Sequence, residues 1–243
     1  MKLTVLGSSH GVPSETRFSS GYMLEVGENI YLFDGGAPLA DLLLRKGKSF
    51  TNVKAFFNSH FHSDHISGAT NMVALCCWYY TESDIDVFLT SENNKKIFAD
   101  FVSASADIKI PEERVRLSVI SGGVIFDDGT VRVTAIPTKH SCMGGAFAFF
   151  IECEGKSILY TGDMTYELDD FPQIAFERFI DLIITECAHF PLQTLEERMT
   201  RMKTNTLVIS HVYPVSKIDE INLIKDKYDF EIQAAEDDDI YEI

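Results

Sequence analysis

The stretch Phe57-Asn58-Ser59-His60-Phe61-His62-Ser63-Asp64-His65-Ile66-Ser67-Gly68 decides the reading of this chain. An apolar run, Lys54-Ala55-Phe56-Phe57, ends just before Asn58, and a helical pattern starts near Asp64. Three histidines and an aspartate therefore fall on one strand-to-helix loop. In an extended chain His60 and His62 point to the same side, because successive side chains alternate. The turn into the helix then presents Asp64 and His65 together. Imidazole nitrogens and carboxylate oxygens suit zinc, manganese or iron. A lone histidine is most often a satisfied core or surface group, but three within six residues, beside an aspartate, form a ligand pattern.

Four donors from one loop cannot close two metal sites, so further donors are needed downstream. Three candidates follow or end apolar runs: His140 after Val131-Arg132-Val133-Thr134-Ala135-Ile136, Asp163 after Ile158-Leu159-Tyr160-Thr161-Gly162, and His211 after Leu207-Val208-Ile209-Ser210. The ends of strands are where a rigid scaffold presents functional groups.

Outward from these positions, short apolar runs alternate with amphipathic stretches. Strands are expected at 2–6, 20–26, 30–33, 54–58, 86–89, 131–136, 146–151, 157–161, 181–185 and 206–210, and helices at 38–45, 65–80, 92–104, 193–202 and 216–226. Lys54-Ala55-Phe56-Phe57 and Asp181-Leu182-Ile183-Ile184 are apolar on both faces, as in sheets covered on each side. The alternation is that of an α/β fold. The 243 residues, 45% of them hydrophobic, suffice for one sizeable core, and a single domain over 1–243 is expected. Glu236-Asp237-Asp238-Asp239, between two strand-like segments, reads as a solvated turn.

No run of 18 apolar residues is present, and Met1-Lys2-Leu3-Thr4-Val5-Leu6-Gly7 reads as a first strand rather than a signal peptide. No membrane association is expected. Cys76, Cys77, Cys142, Cys153 and Cys187 are odd in number and lack C-x-x-C pairs, which argues for reduced thiols in a cytoplasmic protein. The net charge of −16 lacks the basic footprint with which long polyanions are bound.

The ordered set Asp34, His60-x-His62-x-Asp64-His65, His140, Asp163, His211 resembles the five signature motifs of the metallo-β-lactamase superfamily, over nearly the whole chain. The resemblance implies a four-layer αββα sandwich with two mixed β-sheets and two divalent metal ions, zinc first with manganese or iron as alternatives. It implies that His60, His62 and His140 hold one ion, that Asp64, His65 and His211 hold the other, and that Asp163 bridges them. Asp34, in Tyr31-Leu32-Phe33-Asp34-Gly35-Gly36, would be the buried aspartate that orients ligands, although Asp-Gly-Gly by itself reads as a turn.

Asp163 stands where antibiotic-cleaving β-lactamases carry a cysteine, and His62 where oxygen reductases of this superfamily carry a glutamate. Glyoxalase II-type enzymes have a helical C-terminal domain, whereas 32 residues follow His211 here. The opening Leu6-Gly7-Ser8-Ser9-His10-Gly11-Val12-Pro13 is similar to the start of the ribonuclease Z and cyclic-phosphodiesterase branch. Ile184-Thr185-Glu186-Cys187-Ala188-His189 resembles the acidic-x-x-His stretch of the phosphonate-operon cyclic phosphodiesterase, which implies a catalytic role for His189 beside the metals, with Glu186 holding its tautomer or standing as an edge carboxylate. His10 reads as structural. Lys139 and Arg17 are candidate phosphate partners, against the default of solvated surface groups.

His140 and Asp163 are only 23 positions apart, too close for the arm with which tRNA-processing members clamp tRNA. Pro13-Ser14-Glu15-Thr16-Arg17-Phe18-Ser19 lacks the cysteines of the phosphonate-operon enzyme's structural zinc loop. The expectation is a phosphodiesterase acting on a small or cyclic phosphodiester through a hydroxide shared by the metals and bonded by Asp64. The alternative is a lactonase, thioesterase or other ester hydrolase on the same metals, and the third reading is a non-catalytic binding protein. A small phosphate ester is the expected partner rather than a long nucleic acid. Homodimerisation, in which Trp78-Tyr79-Tyr80 could serve as interface or as core, is open.

Overall fold

In the computed structural model, residues 1–12 and 14–243 are described; Pro13, within the N-terminal motif, lies outside them. The chain opens with strands β1 (Lys2–Gly7), β2 (Gly21–Val26) and β3 (Asn29–Gly35), then helix α1 (Leu39–Arg45), strand β4 (Val53–Phe57) and helix α2 (Ser63–Trp78). β5 (Ile85–Leu89), α3 (Glu92–Ala106) and β6 (Val115–Val119) complete the first half. The second half runs β7 (Gly123–Asp127), β8 (Val131–Thr138), β9 (Ala146–Cys153), β10 (Lys156–Tyr160), α4 (Ile174–Glu177), β11 (Ile180–Cys187), α5 (Leu192–Met199), β12 (Thr204–Val212), α6 (Lys217–Ile224), β13 (Glu231–Ala234) and β14 (Ile240–Glu242).

These strands form two seven-stranded mixed sheets, ordered β14-β1-β2-β3-β4-β5-β6 and β13-β12-β11-β10-β9-β8-β7. The period-two alternation of strand side chains divides three apolar layers. Ala55 and Phe57 face Phe33, Phe88 and Phe149 between the sheets, whereas Phe56 joins the layer under α1, α2 and α3. Likewise Leu182 and Ile184 enter the inter-sheet core while Ile183 packs under the helices of the second half. That layering is the four-layer αββα sandwich. Phe33, Phe57 and Phe88 stack nearly parallel, with ring centres 5.0 and 4.9 Å apart, so the core is pinned directly beneath the His60–His65 loop.

Every expected strand and helix is present, with ends shifted by a few residues. β6, β7 and the four-residue α4 stand outside the expectations. β6 and β7 are edge strands, and β7 exposes much of itself beside Gly122 and Gly123, which weakens the apolar signal. The aromatic stretch divides: Tyr80 stacks on Phe50 with ring centres 4.1 Å apart, while Trp78 and Tyr79 are exposed. The five cysteines are free thiols. No helix among the described residues is long and apolar enough to cross a membrane.

Candidate metal centre

β4 ends at Phe57 and α2 begins at Ser63, so His60 and His62 lie on the loop between them and Asp64 and His65 on the first turn of α2. The loop is fixed from below by Asp34, at the end of β3 and fully buried. Its carboxylate accepts hydrogen bonds from Ser59 N (2.7 Å), Ser59 Oγ (2.6 Å), Asn58 Nδ2 (3.2 Å), His65 Nδ1 (2.7 Å) and Tyr160 OH (2.5 Å). Burial, with Asp34 beside it, pushes the Tyr160 phenol well above its ordinary pKa, so it remains a donor. Since Ser59 Oγ–H donates to Asp34, that oxygen accepts from His60 Nδ1–H at 3.1 Å. One carboxylate thus sets the ring orientation of His60 and His65 and turns each Nε2 toward the cluster, where the neutral imidazole could bind a cation.

Asp34-Gly35-Gly36 is therefore more than a turn. Asp34 has φ 54°, a region aspartate tolerates better than most residues. A Cβ on Gly36 would lie 1.8 Å from the Asp64 carbonyl oxygen, and one on Gly68 1.8 Å from that of Ala37. Glycine at both positions lets the two backbones touch.

The remaining groups arrive from the second sheet. His140 follows β8, Asp163 follows β10, and Glu186 and His211 lie on β11 and β12. His62 Nδ1 is 3.0 Å from His60 Nε2 and 3.3 Å from His140 Nε2, and Asp163 Oδ2 is 3.6 and 3.9 Å from His60 Nε2 and His140 Nε2. In a second group, His65 Nε2 is 3.5 Å from Asp64 Oδ2 and 3.4 Å from Asp163 Oδ1, while His211 Nε2 is 3.9 Å from Asp64 Oδ2 and 3.3 Å from Asp163 Oδ2. Ligands placed tetrahedrally about 2.1 Å from one ion stand roughly 3.4 Å apart, which is the spacing of both groups. His65 Nε2 is buried and makes no hydrogen bond. Such an atom is costly unless something satisfies it, and a cation would. The residues fit divalent metal: His60, His62, His140 and Asp163 form one group that could hold an ion, Asp64, His65 and His211 a second, and Asp163 and His211 with His189 a third.

Beside them stands His189. Its Nδ1–H donates to both oxygens of Glu186 (2.8 and 3.0 Å), a buried carboxylate that also accepts from the backbone of Met164, Ala188 and His189. The bond to Glu186 raises the His189 pKa against the opposing effect of burial. With Nδ1 committed, Nε2 is left free. Glu186 is thus buried and hydrogen-bonded to the His189 ring.

Of the other candidates, His10 borders the cluster, its ring edge-on to that of His211 with centres 6.3 Å apart, whereas Lys139 and Arg17 are held by other partners. His10 Nδ1 accepts from Val12 N at 3.2 Å, and its ring packs on Tyr213. Lys139 pairs with Asp169, and Arg17 bonds the Ala235 carbonyl and Glu236. Neither cation is held at the cluster. The acidic turn also departs from a purely solvated role: Asp237 accepts from Ser8 N, Ser8 Oγ and Phe18 N, whose loop would otherwise lack acceptors.

Residues 1–203 match the model of the family Anti-Pycsar protein Apyc1. Ribonuclease Z of Microcystis aeruginosa is 30% identical over 144 residues, covering 58% of this chain and 44% of that protein. The chain thus spans about half the length of the curated relatives it matches. Two solved structures share the fold: the metallo-β-lactamase fold protein YhfI from Bacillus subtilis (19% identity, 99% of each chain, TM-score 0.79) and a diphosphatase from the PhnP family (16% identity, 100% of this chain and 97% of that one, TM-score 0.73).

Proposed function

From the premise that the chain belongs to the Anti-Pycsar protein Apyc1 family, within the metallo-β-lactamase superfamily, we propose that it is a binuclear metal-dependent phosphodiesterase acting on a small or cyclic phosphodiester. His60, His62, His140 and Asp163 would hold one divalent ion, and Asp64, His65, His211 and the shared Asp163 the other, with zinc the first choice for such donors. When bound, the ions would supply an activated water near neutral pH and neutralise charge on phosphoryl oxygens.

The observation that carries the reading is His189, held through Nδ1 by the buried Glu186 carboxylate within 3.8 Å of Asp163. Its free Nε2 can carry a proton to an alkoxide leaving group, the step that limits cleavage of an unactivated ester. Glu186 keeps the ring from rotating and favours the charged form that donates. Asp34, through Ser59 and His65, keeps two imidazoles in their ligand tautomers. The −16 charge disfavours a long polyanion, and residues 146–160 form the short antiparallel β9–β10 pair where a long insertion would otherwise stand between His140 and Asp163.

A second reading, cleavage of RNA, has the likeness to ribonuclease Z in its favour. The test is a panel run on zinc-loaded protein: bis(p-nitrophenyl) phosphate, a 3′,5′-cyclic nucleotide, a homoserine lactone, a glutathione thioester and a precursor tRNA. Turnover of the two small phosphodiesters above the rest is the expected result. Faster cleavage of the lactone, thioester or RNA would overturn the reading.

A further inference from the structure

His211 has φ 49° and is buried. A residue other than glycine keeps such a conformation only where its surroundings hold it. The holding groups belong to the loop between β1 and β2. Ser8 O accepts from His211 N at 3.0 Å, and Ser9 O accepts from His211 Nδ1 at 3.1 Å, with Ser20 Oγ 3.3 Å from the same nitrogen. Among its described residues this loop has no helix or strand, only an isolated bridge between Ser9 and Ser19, so its position needs a further cause.

That cause lies at the other end of the chain, 26 residues after His211 and outside the segment that matches the family model. Asp237 Oδ1 accepts from Ser8 N and Ser8 Oγ, both at 2.8 Å, and Oδ2 accepts from Phe18 N at 2.7 Å. Ser9 N in turn donates to Phe18 O at 2.8 Å. One carboxylate therefore closes both arms of the loop. The turn that carries it is anchored independently, by Asp238 N to Val5 O and Val5 N to Asp239 O, both 2.9 Å, and by an ion pair of Asp238 with Lys46.

We propose that Asp237 is a positioning residue for His211: by fixing Ser8 and Ser9 it keeps His211 Nδ1–H engaged and Nε2 directed at Asp64 and Asp163. The proposal rests on the reading of His211 as a metal ligand. A carboxylate that only fastened the C-terminal turn would affect both metal groups equally or neither. A carboxylate that positions His211 affects the group containing His211 alone.

The experiment compares Asp237→Ala, Asp237→Asn and Lys46→Ala with the parent chain, by hydrogen–deuterium exchange on metal-free protein and by zinc titration against a chelator. In Asp237→Ala the amides of Ser8, Phe18 and His211 should exchange faster while those of β3 and β4 do not change, since local opening follows lost local bonds. One zinc should bind roughly 10- to 100-fold more weakly, the usual effect of losing an outer-shell partner, and the other should bind as before. Asp237→Asn keeps one acceptor oxygen and should fall between. Lys46→Ala loosens the same turn without touching the loop and should leave both affinities in place. Unchanged exchange at His211, or equal weakening of both zinc ions, would overturn the proposal. A parent chain that takes up a single zinc would instead count against the binuclear reading, and exchange at His211 in Asp237→Ala would still decide the positioning role.

Discussion

The two sides of the centre are built on opposite plans. On the first sheet, four donors sit within six consecutive residues from the loop after β4 to the first turn of α2, and one carboxylate, Asp34, orients two of them. On the second sheet, His140, Asp163, His189 and His211 come from separate strand ends, and each orienting group serves one ring: Glu186 for His189, Ser9 and Ser20 for His211. The compact side concentrates its risk in one buried residue. The dispersed side spreads its risk, and its geometry depends on the register of a whole sheet.

Asp163 is where the plans meet, since its carboxylate faces both groups. Asp163→Ala should therefore have the largest effect, with loss of both metals and of activity together. Mass-spectrometric metal analysis of purified protein checks this. His62→Ala should remove the first ion and the activity with it. Full metal content in either variant would break the ligand assignment.

Next in size comes Asp34→Ala. Five donors lose their acceptor at once, and removal of one partner from a buried charged network costs about 3–5 kcal/mol. Urea unfolding of metal-free protein should show that loss, and zinc should bind roughly 10- to 100-fold more weakly. A loss under about 1 kcal/mol, at the low end for one ordinary hydrogen bond, would show that the compact side does not depend on its single carboxylate.

On the dispersed side, His189→Ala should keep both metals and the fold, yet slow phosphodiester cleavage by roughly 10²-fold, the scale of a general acid. The deficit should shrink for p-nitrophenyl esters, whose leaving group needs no proton. An equal deficit for both kinds of ester would return His189 to binding rather than proton transfer.

The same contrast governs what could be read in advance. His60-x-His62-x-Asp64-His65 is legible because its donors are neighbours in the chain and the alternation of strand side chains places them together. His140, Asp163 and His211 are legible only as strand ends, and it takes the sandwich to bring them within 4 Å of the loop. Ser59 carried a signal, being next to His60. Tyr160 carried none: a tyrosine on an apolar strand reads as core, and its hydroxyl finds Asp34 across the sheet interface. Asp237 is hidden for a different reason, since an acidic turn is usually solvated and its partners, Ser8 and Phe18, lie over 200 residues away. β6 and β7 escaped because edge strands bury little.

The smallest expected effect separates the two sides most finely, because two buried tyrosines tie the sheets together in opposite directions. Tyr160 on β10 donates to the Asp34 carboxylate of the first sheet, and Tyr22 on β2 donates to Ser210 Oγ of the second. Their rings touch, with centres 4.8 Å apart, so the packing lost on replacing either by phenylalanine is nearly the same. The acceptors differ. A hydrogen bond to a charged group contributes about 1.5–3 kcal/mol and one to a neutral group about 0.5–1.5 kcal/mol. Tyr160→Phe should therefore cost more in urea unfolding than Tyr22→Phe, and only Tyr160→Phe should also weaken zinc binding, by a few-fold, since Asp34 would keep four of its donors. Equal losses from the two variants would mean that the Asp34 charge is already satisfied by the loop, and that the compact side stands without help from the other sheet.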